Sequence, residues 1–433
     1  MNDAQRDNPA LNRFRDLFGP EFGHGRSFDL ARLRAALDAL GAPHEKLPPV
    51  VHVAGTNGKG STIAFLRSIA EAAGLRVHAF TKPHLLHLRE RFRIAGALAT
   101  DDALIAAAER VAHVSTELTQ FEAQVAAAFL LFSETPADLT LIEVGLGGRD
   151  DATNVIPPPR LAVITTISLD HQDALGESIE EIAAHKAGIL KPGLTAIIAR
   201  QPEAARAVIE AEAAHVGATL LQQGAAWDAF PNNGRLVAQT LERALDMPLP
   251  TLFGTHQVEN AGLAIAALLA LDDARFTSAA FAKGVAQASW PGRLQPLTRG
   301  VFAEAAHGAE LWIDGGHNVG AAHALVSALG LMQRKRPAKT ALIIGMRARK
   351  DWRAFVTTLA PSAARVVAVP LGDEGAAPEA LAQCARDAGA LASTAPDLTN
   401  AIGAALSSGA ERILICGSLL LAGEALRDAG ALD

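Results

Sequence analysis

From residue 48 onward, short runs of β-branched and aliphatic residues alternate with alanine-rich stretches of helical periodicity, the pattern of a parallel sheet flanked by helices. The runs at 50–53, 77–80, 139–144, 161–167 and 196–199 are expected strands, and the stretches at 62–73, 101–114 and 119–132 are expected helices. A further helical pattern over 276–288 breaks at Trp290-Pro291-Gly292-Arg293, because proline and glycine interrupt it. Beyond the break the alternation restarts, with strands expected at 311–313, 341–344, 366–369 and 413–416 and helices at 319–331 and 352–359. The pattern predicts an α/β protein of two domains. Residues 1–292 carry a parallel sheet, and residues 293–433 form a smaller Rossmann-like domain.

Composition narrows the class. Of 433 residues, 49% are hydrophobic and 20% charged, which is enough apolar surface for more than one core and excludes dominant disorder. Two cysteines, Cys384 and Cys416, exclude a disulfide scaffold. The first residues mix acids and amides where a signal peptide needs basic then apolar ones, and the longest uncharged apolar stretch, 261–271, is too short to cross a bilayer. A soluble, cytoplasmic protein with no membrane partner is expected. The net charge of −7 and the lack of a basic tail argue against nucleic acid as a partner, since polyanion binding needs clustered Lys and Arg.

The chemistry starts after the first expected strand, at Ala54-Gly55-Thr56-Asn57-Gly58-Lys59-Gly60-Ser61-Thr62, which leads into an apolar-periodic helix. A strand, a glycine-rich turn and a helix start direct backbone N–H groups and the positive end of a helix dipole at one point, which suits a polyphosphate. Asn57, Gly58 and Gly60 frame that point, Lys59 would neutralise the β- and γ-phosphates, and the Ser61 hydroxyl suits a magnesium ion. The usual P-loop expression is not met: Val53 stands at its first glycine, and Gly60 stands where Ser or Thr should follow the lysine. A tight strand-to-helix turn explains the glycines but not a lysine among them at a helix start.

This loop resembles that of the Mur-ligase superfamily, and later segments are similar to the folylpolyglutamate synthase/dihydrofolate synthase family. They are Thr81-Lys82-Pro83-His84-Leu85 with Arg89-Glu90-Arg91, the stretch Glu143-Val144-Gly145-Leu146-Gly147-Gly148-Arg149-Asp150-Asp151-Ala152-Thr153-Asn154, then Leu169-Asp170-His171, His185-Lys186-Ala187-Gly188-Ile189, Pro291-Gly292-Arg293 and Asp314-Gly315-Gly316-His317-Asn318. The resemblance implies ATP-dependent ligation of L-glutamate to dihydropteroate or reduced folates through an acyl phosphate, by a protein expected to be a monomer. It implies two magnesium ions held by Ser61, Glu143, His171 and Lys186, with Lys186 carbamylated into a carboxylate-like ligand. Asn260 resembles the family's adenine-side contact, and Arg293, Asp314 and His317 are implied to act on the phosphates and on catalysis from the second domain. Ser27, Phe28, Asp29, Thr119, Gln120, Phe121, Glu122, Asp150, Asp151 and Ala152 match segments that line the family's pterin pocket, where Phe121 could stack on a flat heterocycle.

Blander readings accompany several of these positions. Ser27 or Asp29 could cap the helix expected at 30–40, Lys186 could be a solvated helix lysine, and a lone histidine after a strand is usually a polar loop residue. A dinucleotide fingerprint at 145–150 fails because Asp150 takes the place of its last glycine. A muramyl-type ligase lacks support in the Glu143 segment, and a P-loop switch lacks an N-K-x-D motif. One position departs from the family: Lys82 stands where a serine hydroxyl would meet magnesium, and a lysine ammonium has no acceptor to offer a metal. Either Thr81 supplies the oxygen, a water molecule replaces it, or the Lys82 ammonium takes over part of the metal's electrostatic task.

Overall fold

In the computed structural model, residues 8–20, 29–427 and 429 are described. Ser27 and Phe28 lie outside the described residues. Two compact units emerge: one comprises Met1–Ile167, Gln172–Thr251 and Val258–Ala288, the other Ser168–His171, Leu252–Gln257 and Ser289–Asp433. The second unit thus takes two short segments from earlier in the chain, which no sequence break announces.

The larger unit is built on eight strands: β1 (Val50–Ala54), β2 (Val77–Phe80), β3 (Phe92–Ile94), β4 (Ala97–Leu98), β5 (Leu139–Glu143), β6 (Leu161–Ile164), β7 (Thr195–Ile198) and β8 (Thr219–Gln222), in the order β4-β3-β2-β5-β1-β6-β7-β8. From β2 to β8 every pairing is parallel, while β3 and β4 add an antiparallel edge. The central strands β1 and β5 are buried along their whole length, as a sheet covered on both faces requires, and the polar residues within them, His52, Thr140 and Glu143, are buried with the apolar ones. On one face, the helices Pro9–Phe18, Ala31–Ala39, Asp101–Val114 and Gln120–Glu134 contribute to a core around Phe14, Phe80, Phe92, Phe129 and Phe132. On another, Ile179–Ala187 and Glu203–Val216 cover β6 and β7.

A second sheet in this unit was not expected from the sequence: β9 (Trp227–Asn232), β10 (Arg235–Thr240) and β11 (Ala244–Pro248) form an antiparallel meander. Its strands bury only alternate residues, and β9 and β11 both contain proline, so the apolar-run criterion passed over them. The Asn233-Gly234 turn, with φ of 48° and 76°, is a strong hairpin signal that could have revealed it.

The smaller unit has one sheet of β12 (Gln295–Pro296), β13 (Glu310–Ile313), β14 (Thr340–Ile344), β15 (Arg365–Ala368), β16 (Leu391–Thr394) and β17 (Arg412–Cys416), ordered β12-β13-β17-β14-β15-β16. All pairings but β12 with β13 are parallel. Arg412, fully buried at the start of β17, is tolerated because its guanidinium meets Glu310 at 2.6 Å and the Arg336 carbonyl at 3.0 Å. Among the described residues no helix is long and apolar enough to cross a membrane.

Candidate active site

In the larger unit, β1 runs into the glycine loop, and the helix Lys59–Ala72 starts directly after Gly58. Both loop glycines are forced. Gly58 has a φ of 91°, and a Cβ there would strike the Asn260 carboxamide, while Gly55 has a φ of 138° and a Cβ would collide with Thr165. Thr56 and Asn57 N–H groups both donate to the Thr166 carbonyl, at 3.1 and 3.2 Å, so these two amides shape the loop. The first intrahelical bond runs from Thr62 N–H to the Gly58 carbonyl, which leaves the first-turn N–H groups of Lys59, Gly60 and Ser61 directed out of the helix end. Lys59 folds back, its Nζ donating to the Gly55 and Thr56 carbonyls at 3.0 and 3.3 Å. The helix is seated by Gly284, which lets the helix Ser278–Gln287 approach Ile69 closely and accept a 2.8 Å bond from Ser68 Oγ.

Three other candidates gather at this end of the sheet. Glu143, the last residue of β5, lies in register with Val53 of β1, is 3% exposed, and accepts the Lys82 N–H on Oε2 at 3.0 Å. Lys186, 5% exposed on the helix Ile179–Ala187, sends its Nζ to the Gly55 carbonyl at 3.0 Å, so the solvated-lysine alternative does not hold. Two lysines therefore converge on one loop carbonyl. Ser61 is buried in the first helical turn. A carboxylate and a hydroxyl are oxygen donors of the kind a hard divalent cation takes, so Glu143 and Ser61 fit one by their chemistry. Among the described residues no group of three or more His, Cys, Asp or Glu stands ready for a metal, so such an ion would depend on substrate oxygens to complete its shell, as magnesium commonly does.

The segments matched to a pterin pocket divide into scaffold and open groups. Glu122 is occupied: it accepts the Thr119 N–H and hydroxyl at 2.7 and 2.8 Å, closing a capping box, and takes a guanidinium fork from Arg32 at 3.0 to 3.1 Å. Asp151 likewise organises its own loop, accepting N–H groups from Leu146 at 2.7 Å and Thr153 at 3.0 Å and the Thr153 hydroxyl at 2.5 Å. Asp29 accepts the Ala31 N–H at 2.8 Å just before the helix Ala31–Ala39, whose N-cap position is Leu30. Among the described residues Phe121, Asp150 and Ala152 carry no such load; Asp150 stands 3.8 Å from His185. The Phe121 ring edge abuts Gly145, where any Cβ would overlap it. Gln120 is buried, and its Nε2 has no hydrogen-bond partner among the described residues. Arg32 could not have been found by spacing, since it lies 90 residues from its carboxylate.

The smaller unit holds Arg293, Asp314, His317 and also His171. Asp314 accepts N–H groups from Leu294 at 2.8 Å and Gly316 at 2.6 Å, and Arg293 Nη1 reaches the Gly292 carbonyl at 3.4 Å. His317 Nδ1 lies 2.9 Å from the Gly315 carbonyl, which makes Nδ1 the protonated nitrogen of the neutral ring; desolvation, with the Lys350 charge adding, pushes its pKa down to about 4. At the centre sits Asp170, of the Leu169-Asp170-His171 segment. Its carboxylate accepts from Lys350 Nζ at 2.6 Å, Asn318 Nδ2 at 3.0 Å and the His171 N–H at 2.9 Å. Desolvation alone would raise the Asp170 pKa, but the charges of Lys350, His171 and His317 hold it well below the usual carboxylate range. His171 adopts a left-handed φ of 53°, and its Nε2 lies 3.4 Å from Lys350 Nζ. It belongs to this unit, whereas Ser61, Glu143 and Lys186 belong to the other.

Comparison with known proteins fits this arrangement. Residues 53–268 match the Mur ligase middle domain and residues 292–419 the Mur ligase glutamate ligase domain. The chain is 38% identical over 307 residues to the dihydrofolate synthase/folylpolyglutamate synthase of Bacillus subtilis (strain 168), covering 67% of this chain and 69% of that protein. It belongs to the folylpolyglutamate synthase/dihydrofolate synthase family. This synthase chain is also similar to solved structures. E. coli FolC in complex with DHPP and ADP superposes with a TM-score of 0.87 at 29% identity, over 99% of this chain and 98% of that one. A bifunctional folylpolyglutamate synthase/dihydrofolate synthase with Mn, AMPPNP and L-glutamate bound gives a TM-score of 0.81 at 31% identity, over 93% and 94%. The synthase is thus a ligase with an α/β Mur-ligase fold.

Proposed function

We propose that this ligase joins L-glutamate to the carboxylate of dihydropteroate, and in a second activity to reduced folates, converting ATP to ADP and phosphate. The observation that carries the reading is the glycine loop at β1, wrapped by Lys59 and flanked by the buried Glu143 of the adjacent strand, in a chain alignable along nearly its whole length with a FolC that binds DHPP and ADP. The related enzyme that holds Mn, AMPPNP and L-glutamate supports the other substrates and the divalent ion.

Lys59 and the first-turn N–H groups bind the triphosphate, and Asn260, packed beside Gly58, lies on the adenine side. Following the family resemblance, Ser61, Glu143, His171 and Lys186 would be the residues that hold the magnesium ions, Lys186 as its carbamate. When bound, magnesium supplies Lewis-acid stabilisation of the charge that develops on the phosphoryl oxygens. Phe121, Asp150 and Ala152, with Thr119, Gln120 and Asp29 around them, receive the pterin and aim its carboxylate at the γ-phosphorus. Attack there releases ADP and gives an acyl phosphate; the glutamate amine then attacks the activated carbonyl and phosphate leaves. Arg293, Asp314 and His317 contribute from the glutamate ligase unit, Arg293 as a cation for the transferring phosphoryl group. A cytoplasmic location and a monomeric state complete the proposal. Phosphate release dependent on L-glutamate, compared between dihydropteroate and a reduced monoglutamyl folate, tests it. Release with both supports two activities, release with dihydropteroate only removes the second, and release with neither refutes the reading.

A further inference from the structure

Lys82 is the residue at which this chain departs from its family, and the structure places its side chain where the resemblance expects the substrate. The ammonium stands 4.4 Å from the centroid of the Phe121 ring, a cation–π contact. The residue is anchored at its root, its N–H held by Glu143 Oε2 at 3.0 Å, so the side chain pivots from a fixed backbone. Two other described neighbours of the ring are held by packing or backbone: Phe80 is fully buried with its centroid at 6.1 Å, and Gly145 abuts the ring edge. Among these described neighbours, Lys82 is the one that meets the ring with the end of a long, jointed side chain, and it is half-buried.

A flat heterocycle stacking on a phenyl ring needs its face at van der Waals separation, the space this ammonium fills. We infer that Lys82 is a displaceable cap on the heterocycle site: in the empty enzyme its ammonium occupies the face of Phe121, and substrate must exchange a heterocycle for that cation before it can stack. The inference rests on the reading of Phe121 as the pterin platform. It makes Lys82 a specificity-determining residue, because a ligand that offers only a weakly stacking ring cannot offset the lost cation–π contact. A serine at this position leaves the face open.

The test measures equilibrium binding of free pterin, followed by its own fluorescence, to the full chain and to its Lys82→Ser and Lys82→Arg variants. Either substitution leaves the backbone bond to Glu143 in place. Pterin is expected to bind about two-fold to thirty-fold more tightly to Lys82→Ser, the range set by a cation–π contact, while Lys82→Arg restores binding as weak as the parent or weaker. Unchanged or weaker affinity in Lys82→Ser, or Lys82→Arg behaving like Lys82→Ser, overturns the cap. The parent chain is assayed alongside for glutamate-dependent phosphate release with dihydropteroate: release with unchanged pterin affinity sinks the cap alone, and no release sinks the functional reading and the cap with it.

Discussion

Glu122 separates a scaffold task from a substrate contact, and a double-mutant cycle with Arg32 decides between them. Three N–H···O contacts of 3.0 to 3.1 Å join the guanidinium to a carboxylate whose side chain is only 8% exposed, tying the helix Ala31–Ala39 to the helix Gln120–Glu134 that presents Phe121. Hydrogen bonds to charged groups contribute about 1.5–3 kcal/mol, and a fully buried pair would cost more to break. Arg32 is 25% exposed, so water screens part of the attraction, and a coupling of about 1.5 kcal/mol is expected. Glu122→Gln is the informative partner, since glutamine still closes the capping box with Thr119. Urea unfolding of Arg32→Ala, Glu122→Gln and the double variant should show the double losing about 1.5 kcal/mol less than the sum of the singles. The KM for dihydropteroate should shift by the same factor in both singles, through Phe121. Additive stability losses together with a KM rise confined to Glu122→Gln would refute the scaffold assignment.

Three further expectations follow from the same geometry. Lys59→Ala removes both the phosphate cation and the clasp on the Gly55 and Thr56 carbonyls; at an effective dielectric of about 20 a charge 4 Å away is worth about 4 kcal/mol, so steady-state kcat/KM should fall by about three orders of magnitude, and a drop below ten-fold contradicts the loop's role. Gly58→Ala forces a left-handed alanine against Asn260 at a cost of about 1–2 kcal/mol, seen as a raised KM for ATP with the KM for dihydropteroate unmoved; equal shifts in both would argue against a local effect. Burial, with Lys191 adding, pushes the fully buried His52 imidazole down from 6.5 to about 3, while its Nε2 stays on Thr153 Oγ1 at 2.9 Å. The unfolded chain takes up this proton first as pH falls, so stability present above 6.5 is lost progressively toward 3; between pH 7 and 5 the loss is about 2 kcal/mol, and His52→Gln, which cannot titrate, should lack that slope in urea denaturation.

The glycine loop and the alternating strands were legible because their signals are local. A lysine between glycines before an apolar helix, or four consecutive β-branched residues, needs no distant partner to be meaningful, and β1, β5 and the helix Asp101–Val114 lie where the periodicity predicts. The meander β9 to β11 was missed although Asn233-Gly234 marks its turn, because half-exposed strands containing proline carry little apolar signal. Burial of Lys186 was equally opaque: helical periodicity cannot tell a lysine that reaches a loop carbonyl 131 residues away from one in water.

The amino-acid sequence by itself determined the strand-to-helix phosphate loop, the α/β class and the family, since each depends on residue types at short, ordered spacings. Only the tertiary structure decided the strand order β4-β3-β2-β5-β1-β6-β7-β8, the occupation of Glu122 and Asp151 as scaffold, the membership of His171 in the smaller unit and the seat of Lys82 on Phe121. Those outcomes are set by which long-range partner satisfies a charge or covers a ring, and in a folded chain that partner is chosen by packing rather than by proximity along the backbone.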